Sequence, residues 1–251
     1  MKLLIAALAV ILATALAPRS AHGSGINLSW DDCGANGTQI KTFACDTNVG
    51  LHTMVGSFVA PLGIEAMSAN EIVLDLQSTA AAIPAWWQMR TGLCRPQSAL
   101  SGNWDFTGGP FSCYDYWQGG AIGAIVMDPP VGNFTRIKGV FALPAGDPRI
   151  GYVDERWEVY SFKLRVTNLK TTGAGACIGC EAGACIVLRS IRLNQPAPLS
   201  TFEIANPQQR AFVSWQCESF LDHDRVPNCL FPGCPTPART QTWGQIKQLY
   251  R

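Results

Sequence analysis

Charge is scarce in this chain. Of 251 residues only 15% are Asp, Glu, Lys or Arg, and the formal net charge is +1. So small an imbalance builds no field of one sign, which argues against nucleic acid or an anionic membrane surface as an electrostatic partner. Histidine is scarcer still, with three residues. Only His52 and His223 lie beyond the N-terminal leader, so imidazole-rich metal sites and Ser-His-Asp arrangements have little to draw on. Neither a G-x-S-x-G elbow nor an H-E-x-x-H helix motif occurs. Long amphipathic helical patterns are missing over most of the chain, as is an internal repeat of about 20 to 50 residues.

What is present begins with a leader. Lys2 precedes an apolar run, Leu3 to Ala17, too short for an ordinary membrane span. The small-residue site Ala21-His22-Gly23 predicts signal-peptide cleavage before Ser24 and hence secretion, to the exterior or the cell surface. No later apolar run is long enough to span a bilayer. Loss of Lys2 and Arg19 takes the 19 basic residues to 17, against 18 acidic ones. The predicted organisation is a signal peptide at 1–23, a β-sandwich domain at 24–226 and a Pro- and Cys-rich tail at 227–251.

Gly and Pro number 24 and 16, which suits short strands joined by many turns. Tyr160 to Leu169 alternates most cleanly, with Tyr160, Phe162, Leu164 and Val166 on one face and Ser161, Lys163, Arg165 and Thr167 on a solvated one. Ile26–Trp30, Thr53–Ala60, Glu71–Leu76, Ile137–Leu143, Cys185–Leu193, Phe202–Ile204 and Ala211–Trp215 read as further strands. The nearly continuous apolar run Ala121–Met127 reads as a buried one. The expected class is all-β, an antiparallel sandwich or jelly roll. Thr242 to Arg251 has helical spacing, with Trp243, Ile246 and Leu249 or Tyr250 on one stripe. It predicts a short C-terminal helix that docks on its own domain or on a partner.

The ten cysteines all lie after the leader, and an even count in an exported chain reads as disulfides. Cys33 and Cys45 bracket a turn-rich segment, and Cys94 and Cys113 bracket another, so each pair is expected to bridge. Cys177-x-x-Cys180 with Cys185 resembles half of a zinc site or a redox motif. The compartment and the strand-forming residues after Cys185 argue for a stapled strand instead, with no metal.

Candidate ligand sites are few. Trp86, Trp87, Trp104, Tyr116 and Trp117 fall in one third of the chain, and with neighbouring Asp and Gln would suit a sugar platform. They suit a core or a partner interface as well, although Trp86 and Trp87 cannot both face inward if their segment is a strand start rather than a bulky loop. Asp75, Asp105, Asp115, Asp128, Asp154, Glu155 and Glu158 are the carboxylates from which a glycoside-hydrolysing pair would be drawn. Asp31-Asp32, Asp46 with Asn48, and Asp222 with Asp224 offer oxygen ligands that structural calcium would accept, but the same clusters form Asx-turns without metal. No catalytic residue and no cofactor is assigned.

Leu28-Ser-Trp-Asp-Asp-Cys33-Gly with Phe43-Ala-Cys45-Asp-Thr-Asn48, Gly92-Leu-Cys94-Arg with Asp115-Tyr116-Trp117-Gln-Gly-Gly120, Tyr160-Ser-Phe-Lys163, Cys177-Ile-Gly-Cys180 with Cys185-Ile-Val-Leu188, and Thr242-Trp243-Gly244 to Tyr250-Arg251 resemble, in that order, a family of uncharacterised secreted bacterial proteins. The resemblance covers nearly the whole mature chain and carries over no catalytic residue. Between Trp215 and Pro237 this chain departs from the family's Gly-rich pattern with Cys217 and Cys229, which implies a bridge between those two. One of Cys177, Cys180 and Cys185 then has to reach Cys234. More loosely, the sandwich pattern is similar to cohesins and carbohydrate-binding modules. The functional expectation is a non-catalytic extracellular protein that binds a glycan or a cell-surface component. The alternative is a secreted hydrolase acting on polysaccharide.

Overall fold

The computed structural model describes residues 23–108 and 112–216. They form two antiparallel-rich sheets packed face to face. In chain order the strands are β1 (Gly25–Trp30), β2 (Ile40–Lys41), β3 (Leu51–Val59), β4 (Ala69–Ser78), β5 (Leu100–Asn103), β6 (Ile122–Met127), β7 (Phe134–Ala142), β8 (Glu158–Thr167), β9 (Ala184–Asn194), β10 (Phe202–Ile204) and β11 (Phe212–Trp215). One sheet has the order β1-β3-β8-β5; the other runs β2-β11-β9-β4-β7-β6, with β10 also on β9. The expected all-β sandwich is therefore present. The predicted C-terminal helix and the leader lie outside the described residues. No helix among the described residues is long and apolar enough to cross a membrane.

The core is built by the period-2 faces. Met54, Phe162, Leu164 and Val166 of the first sheet are buried, as are Ile72, Leu74, Leu76, Ile137, Phe141, Ile186, Leu188 and Ile191 of the second. Two bulges adjust the pattern. Gly56 pairs with Phe162 but Ser57 with Tyr160, so Ser161 is the extra residue. Its hydroxyl accepts a 2.6 Å bond from the Asn70 side chain of the opposite sheet. In β9, Leu188 pairs with Leu74 and Ser190 with Val73, leaving Arg189 out of register. That extra residue aims Arg189 at Asp75, 2.7 Å from Nε to the carboxylate.

Three expectations need correction. The second face of β8 is not solvated: Ser161 and Lys163 are buried. The segment after β5 folds across it, with Phe106 stacked on Tyr160 at 4.2 Å and Lys163 4.6 Å from the Phe106 ring. Strand β6 is not a buried strand but the edge of the larger sheet, and Ile122 and Val126 are exposed. Its continuous apolar run gives no periodicity from which to tell a core strand from an edge.

The third concerns the disulfides. Cys33 bonds Cys113, Cys45 bonds Cys180 and Cys94 bonds Cys177. Neither Cys33–Cys45 nor Cys94–Cys113 forms. The observed bridges span 80, 135 and 83 residues rather than a local turn. Sheet topology, not sequence proximity, brings the sulfurs together. Cys185 is disulfide-bonded as well. The pairings expected for Cys217, Cys229 and Cys234 lie outside the described residues. Bridges of this kind form and persist in an oxidising, extracellular environment.

Candidate functional site

The five aromatic residues singled out from the sequence do not make a surface. Trp86, Trp87 and Trp117 are fully buried, Tyr116 nearly so, and Trp104 is half-buried. Trp86 and Trp87 sit in a single 3-10 turn, Ala85–Trp87, not in a strand. A turn of that kind does not alternate sides, so both indoles enter the core. They meet Trp215 at 4.9 and 5.3 Å, and Phe43 stacks on Trp215 at 4.0 Å. His52 closes this nest 4.2 Å from Phe43 and lies 2.9 Å from the Asn168 amide oxygen. Burial, partly offset by that hydrogen bond, holds the His52 pKa below its ordinary value. Trp117 donates to the carbonyls of Tyr160 and Ser161, and Trp104 to that of Ala121. These rings are structural, a correction to the expected platform.

A different set of aromatics reaches the surface. Tyr114, Tyr152 and Trp157 are 52, 58 and 61% exposed. They emerge from two segments knitted together by hydrogen bonds. Tyr114 N–H donates to Glu158 O at 2.9 Å, and Tyr160 N–H donates back to Tyr114 O at 3.0 Å. The Tyr116 hydroxyl accepts from Gly151 N–H at 2.9 Å, beside Tyr152. The Cys33–Cys113 bridge anchors the residue next to Tyr114. Ser112 and Tyr160 both donate to the Asp32 carboxylate, at 2.7 and 2.8 Å. The three exposed rings therefore stand on backbone that is fixed from several sides.

Polar groups lie beside Tyr152 and Trp157. The turn Asp154–Trp157 is closed by Trp157 N–H donating to Asp154 O at 3.2 Å. Arg156 Nε donates to both Asp154 carboxylate oxygens, at 2.8 and 3.1 Å. The Tyr152 hydroxyl donates to Glu155. The Arg156 side chain beside Asp154, helped by the Arg156 backbone N–H, holds the Asp154 pKa down at about 2. The Tyr152 hydroxyl lowers that of Glu155. Both carboxylates are ionised acceptors, and Arg156 is a donor at the same turn. Tyr152 and Trp157 thus stand exposed beside charged donors and acceptors held in one turn.

Tyr152 and Trp157 were not singled out from the sequence. The available signal was context: an indole inside Asp154-Glu155-Arg156-Trp157-Glu158 has no apolar stripe to bury with. Tyr114 directly precedes Asp115-Tyr116-Trp117 but is not among the residues of the expected platform.

Three of the expected carboxylates are engaged away from the Asp154–Trp157 turn. Asp75 lies under Arg136 and Arg189, Asp128 pairs with Lys138, and Glu158 accepts from Asn27 and Ser57. Asp105 and Asp115 shift in opposite directions. Burial, with a smaller contribution from Asp105, raises the Asp115 pKa. Hydrogen bonds from Thr107 lower that of Asp105. Each also accepts a local backbone N–H, from Thr107 at 2.9 Å and Gln118 at 3.0 Å.

Of the oxygen clusters weighed for calcium, Asp31 binds Lys41, Asp32 is engaged as above, and Asn48 accepts from Thr171 and Thr172 N–H. Asp222 and Asp224 lie outside the described residues. Among the described residues one group of metal-ligand type atoms converges, Cys33, Cys113 and Glu158. Its two sulfurs are bonded to each other, so it offers no thiolate.

No protein-family model matches the chain. None of the curated proteins compared with it matches either.

Proposed function

We propose that this is a secreted, non-catalytic protein that binds glycans, outside the cell or at its surface, through Tyr114, Tyr152 and Trp157. The observation that carries the reading is the exposure of three aromatic side chains on a hydrogen-bonded, disulfide-anchored base, with Asp154, Glu155 and Arg156 beside them. Rings held in place lose little entropy on binding, and ordered polar neighbours supply orientation. The leader read from the sequence and the oxidised cysteines support export, as does the resemblance to exported bacterial proteins. A glycan array probed with the purified protein and with Trp157→Ala and Tyr152→Ala tests it. Binding lost in both variants, with the thermal midpoint unchanged, is expected. Binding retained in both removes the platform.

A second reading, a polysaccharide hydrolase, draws on one observation, the opposite pKa directions of Asp105 and Asp115. Carboxylates pushed apart in pKa are a recurrent acid–base arrangement, and the charge of Asp105 contributes to the rise at Asp115. Release of reducing ends from any array hit, abolished by Asp115→Asn, is its signature. No release from any hit disposes of it.

A further inference from the structure

We infer that Lys163 and Asn103 join in an intramolecular isopeptide bond, lysine Nζ to asparagine Cγ with loss of ammonia, which clamps β5 to β8. Lysine is among the residues least often buried, yet Lys163 is 4% exposed. It lies within β8 directly opposite Asn103, the last residue of β5. Directly opposed residues of an antiparallel pair share a face of the sheet, with Cβ atoms about 4.5 to 5.5 Å apart. A lysine side chain is long enough for its amine to meet the opposed amide carbon across that gap. The amine is turned toward this end of β5: Nζ donates to the carbonyl of Asp105, two residues beyond Asn103.

The neighbours match what aminolysis of an amide requires. The nucleophile has to be a neutral amine. The Phe106 ring lies 4.6 Å from Nζ, and burial, followed by the like charge of Arg165, holds the Lys163 pKa below its ordinary 10.5. The charges of Asp105 and Asp115 oppose that shift without reversing it. The amide carbonyl has to be polarised. Asp105 N–H donates to Asn103 Oδ1 at 3.1 Å, where it also stabilises an oxygen that gains charge. The departing nitrogen has to be protonated. The charge of Asp115 acts on Lys163, and burial raises the Asp115 pKa, so this carboxyl holds a proton more readily than an ordinary one.

The step balances without an oxidant or reductant. The Lys163 ammonium gives one proton to the Asp115 carboxylate. The freed lone pair forms the Nζ–Cγ bond, and the carbonyl π electrons move to Oδ1. Asp115 returns its proton to Nδ2, and the Cγ–Nδ2 bond breaks with its electrons leaving on ammonia as the carbonyl reforms. Nζ then gives its second proton to that ammonia, leaving a secondary amide and an ammonium ion. The bond has a clear structural effect. Strand β5 is four residues long and ends its sheet. A tie from its last residue to β8 fixes the edge and the Phe106 segment that follows. Reductants that open Cys94–Cys177 and Cys33–Cys113, on either side of β5 in the chain, leave this tie intact. The inference does not depend on the glycan reading.

Mass spectrometry of the purified exported chain, reduced and alkylated, tests it, and the parent measurement needs no variant to fold. The expected mass is one ammonia below that of the sequence. After trypsin, the peptide carrying Asn103 is expected to be joined to one in which Lys163 is uncleaved. Lys163→Arg and Asp115→Asn are each expected to show the full mass. A parent of full mass overturns the proposal. So does a deficit of one water, which would put the link on a carboxylate instead of Asn103. An ammonia deficit that survives in either variant overturns it too, since a succinimide at Asn36-Gly37 would give the same loss without Lys163 or Asp115.

Discussion

The guanidinium of Arg95 lies 3.9 Å above the ring of Trp86 and donates to the Trp86 carbonyl at 2.8 Å. Its other terminal nitrogen donates to the carbonyl of Thr167. One fully buried cation thus ties the 85–87 turn to the end of β8. Burial pulls its pKa down to about 10. Arginine serves here because a planar fork reaches two carbonyls and stacks on an indole at once. Arg95→Lys is expected to lose about 3 kcal/mol in chemical denaturation, since a lysine keeps the buried charge but loses the fork. Arg95→Met, which brings no charge into the nest, is expected to lose less. A lysine variant as stable as the parent contradicts this.

His52 makes stability pH-dependent on the acid side. Its folded pKa is below the ordinary 6.5, chiefly because burial disfavours the imidazolium. The unfolded chain therefore takes up the proton first. Stability is unaffected well above 6.5, falls as pH drops below it, and stops falling once the folded site also protonates. The slope from this one group is at most about 1.4 kcal/mol per pH unit. His52→Gln should remove that segment of the profile, read from denaturation midpoints between pH 7.5 and about 5.

Asp75 acts at lower pH. Burial raises its pKa, but the hydrogen bonds and charges of Arg136 and Arg189 outweigh this and leave it below 3.8. Its contribution is present above the unfolded value and disappears as pH falls through the folded one. Asp75→Asn at neutral pH is expected to cost about 2 kcal/mol, less than a fully buried pair, because both arginines are more than a third exposed and screened by water. It should also flatten the profile below pH 4. Salt-insensitive, unchanged stability in the variant contradicts the assignment.

The Cys33–Cys113 bridge closes an 80-residue separation. Chain entropy assigns a cross-link of that span about 4 to 5 kcal/mol. Cys33→Ser with Cys113→Ser should lower the unfolding midpoint by about 10 to 20 °C. It should also weaken glycan binding, because the same bridge steadies the backbone beside Tyr114. Full binding in a destabilised variant would show that the platform does not need that anchor.

The strands were legible because a two-residue period of apolar and polar residues leaves its mark on composition. Tyr160 to Val166 and Ile72 to Leu76 are the plainest instances. Local pattern was silent wherever a distant segment decided the outcome. Lys163 looks solvated until Phe106 folds over it, and Ser161 until a bulge turns it toward Asn70 of the other sheet. Cys33 and Cys45 look like partners until β-topology delivers Cys113 and Cys180. Trp86 and Trp87 look like one inward and one outward residue only if a strand is assumed, and the backbone there is a 3-10 turn. The platform was missed for a related reason. Tryptophans were weighed by their clustering in sequence, whereas exposure is set by whether apolar neighbours are available, and Trp157 has charged ones.

The most direct test is a pull-down of the protein on a panel of insoluble and soluble polysaccharides, with Trp157→Ala and a Trp157→Phe control. Retention on at least one polymer is expected, reduced at least about tenfold by alanine, which corresponds to roughly 1.4 kcal/mol or more, and largely kept by phenylalanine, which preserves an aromatic face. Retention by Trp157→Ala equal to that of the parent, or no retention of the parent on any polymer, contradicts a glycan-binding role for these aromatics.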